Sequence, residues 1–435
     1  VLSQTTDDWE LIVIDNGSTD DTRKVLNEFI DYKKITVVHQ ENKGLTRANN
    51  IALRLSQGEY IMRLDADDYL DENALVVLSN ILDKYPDIGL VYPDYYRIDE
   101  QGKIIDIERR NKINAKISLL DFPAHGACTM IRKSCLLALG GYDESLSCQD
   151  GYDLWIRFLD FYRPYNVNIP LFYYRQHNKS LSYNKSKILL TRHRIMRGYV
   201  KTKFGKKIPK ILALIPIRGQ SDLFSDAAFK KIDGKPLISY TISEALKTKL
   251  LDKIVVTTDD DKALPYMKIF PKISVIRRPA ELSLPNSRIE PTVAYVLSHL
   301  KKNQGYCPDA VMLLYVHTPL RKFIHIEKAI DSMMIFNTES VISVCEDLNY
   351  YYQHREGGLV PLVKKRLLRL ERDALYRENG AIYLSKIGVI NKDNFLGRKV
   401  GHIIMLPEES IKIDNEFNFW LAEKVVKEWK RTQKS

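Results

Sequence analysis

Short apolar runs alternate with polar stretches in which apolar positions recur every three or four residues. In the first third, Leu11–Ile14, Ile35–His39, Tyr60–Leu64 and Leu90–Tyr92 read as strands, with another around Ala127–Ile131. Asp21–Phe29, Leu45–Leu55, Glu72–Leu82 and Asp150–Phe158 read as helices. Strand and helix taking turns in this way predicts an α/β fold with a mostly parallel sheet covered on both faces. A charged helical stretch follows over 184–210 and ends at Gly205 and Pro209. The pattern then starts afresh. Strands are predicted at Ile211–Ile215, Lys253–Thr257, Ser274–Ile276, Val311–Tyr315 and Ser340–Cys345, and helices at Pro236–Leu246, Pro291–Leu300 and Ile326–Phe336. The restart divides the chain into domains 1–183 and 209–435 joined by a basic helical linker, 184–208. No period of 20–50 residues recurs, which excludes a solenoid.

Composition narrows the class. With 435 residues and 45% apolar positions the chain can bury more than one core, and 28% charge excludes a polytopic membrane protein. The net charge is +11, and ten Lys or Arg between Asn184 and Lys210, with no acid among them, supply almost all of it. The remainder is close to neutral, so a general nucleic-acid surface is not indicated. The five cysteines lack metal or disulfide spacing, which implies a reducing, cytoplasmic setting. The chain opens at Val1 without a Met and reads there as the end of a helix, so an N-terminal truncation is expected.

Carboxylates cluster where an open parallel sheet places ligands, beyond the carboxyl ends of strands. Asp15 follows the first strand in Asp15-Asn16-Gly17-Ser18-Thr19-Asp20; Asp65, Asp67 and Asp68 follow Tyr60–Leu64; Asp150 opens a helix. A D-x-D pair supplies the hard oxygen ligands that a divalent cation prefers. Each carboxylate alone also fits a helix cap or turn.

The stretch from Asp8 to about Tyr183 resembles family 2 glycosyltransferases of the GT-A fold. The resemblance runs through Glu10–Asp20, Asn42–Ala52, Gly58–Asp68, Gly140–Glu144 and Asp150–Trp155. It implies that Asp15 meets the nucleotide base of a sugar donor and Asp65 its ribose. Asp67 would hold Mg²⁺ or Mn²⁺ with the diphosphate. Asp150 would be the general base for inverting transfer, with Asp153 the alternative, and His177 would lie near the diphosphate. The family's first strand and the turn after it have no counterpart here.

Residues from Ile211 to about Glu423 resemble the acylneuraminate cytidylyltransferases, which make CMP-activated nonulosonic acids. The matching segments are Ile215–Ser221, Asp233–Ser239, Ile254–Asp260, Arg277–Leu282, Thr318–Arg321, Asn379–Tyr383 and Ser410–Asn415. Arg218 and Ser221 would then contact phosphates and Arg278 the nucleotide, Asn379 would line the sugar site, and Asp414 would bind the metal. Two departures predict reduced turnover. Asp222 and Asp226 stand in a loop where the family carries cations, and Lys412 replaces one of two metal carboxylates. Together the resemblances imply two Rossmann-like nucleotide-binding domains. Their expected partners are a nucleotide sugar, a glycan or lipid-linked acceptor, CTP and a nonulosonic acid.

The leading expectation is a cytoplasmic, metal-dependent glycosyltransferase in surface-polysaccharide assembly, fused to a CMP-nonulosonate synthetase-like domain. Cytidylyl transfer as the main activity, or a non-catalytic nucleotide-binding scaffold, are the alternatives. Homodimerisation through the second domain stays open, as does contact of 184–210 with the inner membrane face. For that stretch, a solvated helix joining two domains fits its narrow, Trp-free apolar stripe better.

Overall fold

The computed structural model describes residues 1–110, 126–176, 185–218, 227–261, 263–284, 287–362 and 375–432. The chain forms two compact units, residues 1–195 and 196–435.

The first unit contains β1 (Leu11–Asn16), α1 (Thr22–Asn27), β2 (Ile35–Gln40), α2 (Leu45–Leu55), β3 (Tyr60–Met62), β4 (Tyr69–Leu70) and α3 (Ala74–Lys84). It continues with β5 (Ile88–Ile98), β6 (Ile104–Glu108), β7 (Met130–Arg132), α4 (Lys133–Ala138), α5 (Asp150–Phe158) and β8 (Arg163–Arg175), and ends within α6 (Lys185–Phe204). β1 and β2 form a parallel pair of their own. The other strands make one sheet in the order β3-β7-β5-β8-β4, with β6 beside β5. β5 and β8 run parallel, while β3, β4, β6 and β7 join antiparallel.

Ala74, Leu78 and Leu82 recur every fourth residue on α3 and are fully buried, in one core with Ile88, Val91, Met130 and Phe172. On α5 the buried positions run almost all round, and Trp155 meets Tyr92 edge-on at 5.2 Å. A short helix with so little exposed face keeps its N-terminal residue at a fixed depth.

The second unit contains β9 (Ile211–Pro216), β10 (Lys231–Ile232), β11 (Lys235–Pro236), α7 (Leu237–Lys247), β12 (Lys253–Thr258), α8 (Ala263–Met267), β13 (Ser274–Arg277) and α9 (Glu290–Gln304). It then adds β14 (Ala310–Leu313), α10 (Phe323–Ile335), β15 (Ser340–Asp347), β16 (Tyr352–Arg355), β17 (Gly358–Pro361), β18 (Leu375–Lys386), β19 (Val400–Ile404) and α11 (Glu416–Thr432). Its main sheet has the order β13-β12-β9-β14-β18-β15-β19. The pairings of β9 with β12 and β14, of β12 with β13 and of β15 with β19 are parallel; only β18 runs antiparallel to its neighbours.

Every side chain of Ile211–Ile215 is fully buried. Ile211, Ala213 and Ile215 pack on one face with α7 and α10, and Leu212 and Leu214 on the other with α9. That is why the run is apolar without alternation. Strand order reverses between β9 and β14, the place in an open α/β sheet beyond whose strand ends ligands bind.

Among the described residues no helix is long and apolar enough to cross a membrane. On α6, Arg192 bonds Gln149, Arg197 pairs with the buried Asp331, and Lys203 lies 5.2 Å over the Tyr199 ring.

Candidate functional site

In the first unit the chain leaves β3 through Arg63, whose guanidinium spans two of the sequence-predicted carboxylates. Its Nη1 donates to Asp150 Oδ2 at 2.6 Å, and its Nε lies 3.0 Å from Asp65 Oδ1. Burial alone would lower the Arg63 pKa, but the charges of Asp150 and Asp65 outweigh it and raise the value. Gly126 makes room for this group: a Cβ there would come within 2.9 Å of Nη1. Nothing in the sequence pattern alone marks residue 63 as part of a site. A cation one residue before the Leu64-Asp65-Ala66-Asp67-Asp68 run was the available signal.

Asp67 is exposed and Asp68 is buried. Arg175, at the end of β8, fastens their loop: its backbone N donates to Asp68 Oδ1 at 2.8 Å and its Nε to the Asp67 carbonyl at 2.9 Å. The other Asp68 oxygen is buried without a partner. Burial, with the charges of Asp67 and Asp65 adding to it, pushes the Asp68 carboxyl up to about 7. An orphaned buried carboxylate oxygen beside two further carboxylates suits a cationic neighbour. Among the described residues no group of three His, Cys, Asp or Glu side chains could hold a metal unaided. A cation there would need oxygens from a ligand to complete its shell.

Asp150 is the first residue of α5 and is buried. Gln149 before it is left-handed, at φ 63°. Asp153, one turn on, is held by Arg157 through Nε at 2.9 Å and Nη2 at 2.6 Å. Arg157 also donates to the carbonyls of Leu139 and Gly141. Asp150 therefore reaches Asp65 through Arg63, whereas Asp153 braces the Gly140-Gly141 turn.

Asp15 ends β1 and is buried. Its Oδ2 lies 2.8 Å from His39 Nδ1, and its Oδ1 accepts the Ser18 backbone N–H at 2.9 Å. The His39 hydrogen bond, then the Ser18 one, lowers its pKa to about 2. Asp15 and His39 are register partners in the β1–β2 pair, a relation that needs the pairing to be seen. Asn16 joins the two strand ends, accepting from Gln40 Nε2 at 2.7 Å and from the Lys43 backbone at 3.0 Å. His177 lies outside the described residues.

In the second unit, Arg218 lies just beyond β9 and donates to the Ser287 carbonyl at 3.0 Å. His317 lies beyond β14, and its carbonyl accepts the Ile413 backbone N–H at 2.7 Å. The His317 Nδ1 is buried without a partner. Burial lowers its pKa, Lys412 and Arg218 lower it further, and Asp414 opposes them. Beyond the strand reversal, His317 thus lies within electrostatic reach of Arg218, Lys412 and Asp414. Asp414 Oδ1 accepts from Asn415 and Asn418 side chains at 3.0 and 2.8 Å. His317, in Val316-His317-Thr318-Pro319, went unremarked in the sequence because a lone His carries no spacing signal.

Arg278 and Asn379 are both buried and fully engaged. Arg278 donates to Ser283 Oγ, Thr257 O and Ile217 O at 2.6, 3.2 and 2.9 Å, tying together the ends of β9 and β12. Burial pulls its pKa down to about 10, against the charge of Asp259. Asn379 Oδ1 accepts from Ser343 and Ala381, and its Nδ2 donates to Ser410 Oγ at 3.0 Å. Ser221, Asp222 and Asp226 lie outside the described residues.

Two family models match the chain. Residues 1–139 match the family model for glycosyl transferase family 2, and residues 212–386 the one for cytidylyltransferase. An uncharacterized glycosyltransferase of Rickettsia typhi is 31% identical over 261 residues, covering 57% of this chain and 78% of that protein. A chondroitin synthase of Escherichia coli is 31% identical over 163 residues, covering 36% of this chain; the chain spans only 23% of that relative. A solved CMP:2-keto-3-deoxy-manno-octonic acid synthetase complexed with CTP superposes with a TM-score of 0.39 at 13% identity, over 50% of this chain and 99% of that one.

Proposed function

The chain belongs to glycosyltransferase family 2 and carries a cytidylyltransferase domain behind that unit, and we propose that it transfers a sugar from a nucleotide-sugar donor, with inversion, to a glycan or lipid-linked acceptor. The observation that carries this reading is the Arg63 bridge, which unites the strand-end carboxylate Asp65 with the helix-opening Asp150. Asp15, ionised at neutral pH, accepts hydrogen bonds from the base of the donor, and Asp65 those of its ribose. Asp150 takes the proton from the acceptor hydroxyl as that oxygen attacks the anomeric carbon. Arg63 fixes the distance between the two carboxylates.

Asp67, with the orphaned Asp68 oxygen beside it, would hold Mg²⁺ or Mn²⁺ together with the donor diphosphate. When bound, the ion neutralises charge on the leaving group. The Escherichia coli relative, a chondroitin synthase, supports polysaccharide assembly as the setting.

The test is nucleotide release by the full chain across a panel of UDP-, GDP- and CMP-sugars with Mg²⁺ or Mn²⁺. Asp150→Asn should keep donor binding and lose ~10²–10⁴-fold in turnover. Asp67→Ala should lose metal-dependent donor binding. Full turnover in Asp150→Asn sinks the assignment.

The second unit we read as a CMP-nonulosonate synthetase-like domain that binds CTP and a nonulosonic acid with reduced turnover. Lys412 beside Asp414 supports this, because an ammonium takes up charge but offers no oxygen to a cation. Pyrophosphate release from CTP by the full chain, with Mg²⁺ and a panel of nonulosonic acids, measures it. Release at ~1 s⁻¹ or faster, ordinary for enzymes, would overturn the reduced-turnover reading.

A further inference from the structure

The basic helix α6 presents Arg192 to the residue immediately before Asp150. Arg192 Nε donates to Gln149 Oε1 at 2.7 Å, and the guanidinium lies 4.9 Å over the ring of Tyr152. One residue earlier, Thr191 Oγ1 accepts from Cys148 Sγ at 3.3 Å. Residues 191 and 192 therefore grip 148, 149 and 152, on both sides of Asp150.

Gln149 has no side-chain cap bond to the helix it precedes, and its backbone is left-handed at φ 63°, ψ 24°. Residues with a side chain avoid that region, and where they are held there something outside the turn holds them. Outside the turn, the Gln149 side chain is bonded by Arg192. The left-handed turn immediately precedes Asp150, whose carboxylate accepts from Arg63 at 2.6 Å.

We propose that Arg192 is a positioning residue for glycosyl transfer: through Gln149 it sets the backbone turn that aims the Asp150 carboxylate. The proposal rests on Asp150 as the base. The basic helix then has a role beyond joining two units, since one of its cations completes the first site from behind. Arg63 holds the carboxylate directly, and Arg192 holds the backbone that carries it.

The experiment compares Arg192→Ala, Arg192→Lys, Gln149→Ala, Gln149→Gly, the Arg192→Ala/Gln149→Ala double variant and Asp150→Asn in the full chain. Nucleotide release is read with Mn²⁺ and whichever sugar of a UDP-, GDP- and CMP-sugar panel the unmodified protein uses fastest. Arg192→Ala should lower kcat about 10- to 100-fold, the scale of a misplaced catalytic group, with donor KM unchanged within about twofold. Gln149→Ala should cost the same, and the double variant no more, because both remove one interaction. Gln149→Gly should recover part of the loss, since glycine adopts the left-handed turn without an anchor. Arg192→Lys should recover part as well, keeping a donor and a cation over Tyr152.

Unchanged kcat in Arg192→Ala while Asp150→Asn is inactive overturns the proposal alone. A lower melting temperature with unchanged kcat of the folded protein overturns it too, leaving Arg192 a structural contact. Full turnover in Asp150→Asn overturns the underlying reading of the base, and the proposal with it.

Discussion

Asn50 and Tyr142 exchange a matched pair of hydrogen bonds: Asn50 Nδ2 donates to the Tyr142 carbonyl and Asn50 Oδ1 accepts the Tyr142 N–H, each at 2.9 Å. The pair stitches α2 to the Gly140–Glu144 turn, two stretches that stand about ninety positions apart in the chain. Gly141, at φ 73°, lets the amide in; a Cβ there would lie 2.7 Å from Asn50 Oδ1. Asn50→Ala strands two buried backbone groups and should destabilise the first unit by about 1–3 kcal/mol in urea titrations. Gly141→Ala should do comparable damage, through both the strained φ and the collision. A midpoint unmoved in both variants would mean the stitch does not form.

The Arg63 bridge allows a sharper test of electrostatics. Replacing a buried cation while its two carboxylate partners remain leaves like charges uncompensated. Arg63→Met should therefore lose about 3–5 kcal/mol at neutral pH. The comparison variant Arg63→Lys, which keeps the charge, should recover part of that loss. An equal loss in Arg63→Lys and Arg63→Met would point to packing instead of charge.

Asp150 and Asp153 separate by what they hold. Asp153 is spent on Arg157, which in turn carries the carbonyls of Leu139 and Gly141. Asp153→Asn should lower the melting temperature by a few degrees yet leave turnover of the folded protein nearly intact. Asp150→Asn should abolish turnover even where the variant remains folded, because it removes the base as well as one end of the Arg63 bridge. Calorimetry alongside steady-state kinetics distinguishes them, and loss of turnover in Asp153→Asn alone would exchange the two roles.

The hydrogen bond from His39 sets a pH dependence whose sign is fixed. Asp15 has a folded pKa of about 2 against an ordinary 3.8, so its stabilisation is complete above the unfolded value. It fades as pH falls from about 3.8 through about 2. Asp15→Asn should flatten this part of the stability curve in urea unfolding between pH 5 and about pH 2, and His39→Ala should flatten most of it. An unaltered slope in both would show that other carboxylates dominate acid unfolding.

Asn379 offers the corresponding test in the second unit. Its amide satisfies Ser343, Ala381 and Ser410 with no exposed surface. Asn379→Ala should cost about 2–3 kcal/mol of stability, most of it from stranded partners. If instead the variant melts normally and loses only affinity for an acidic sugar, the amide faces ligand rather than core.

Much of the first unit could be read in one dimension. Leu45–Leu55 and Asp150–Phe158 fold as helices over the predicted residues, and Leu11–Ile14 lies within β1. In the second unit, the unbroken apolar run at Ile211–Ile215 signalled a strand covered on both faces. β8 was not legible. It is half exposed, contains Pro164, Asn166, Asn168 and Pro170, and its register against β5 shifts three times. Those shifts erase the alternation by which a strand is recognised. β18 escaped for a related reason, since its pairing with β15 slips between Ile342 and Val344.

By itself, the sequence determined the two α/β patterns and the order of carboxylates along the strand ends. Those features follow from side-chain period and from residue type, which are local. The tertiary structure alone decided which carboxylates meet. Asp65 and Asp150 are eighty-five positions apart and converge only because a buried guanidinium holds both; Asp153, three residues from Asp150, is turned to another partner. The same holds for His39 under Asp15 and Arg192 behind Gln149. Hydrogen bonds and ion pairs act over about 3 Å of space, and no spacing along the chain records which residues that space will join.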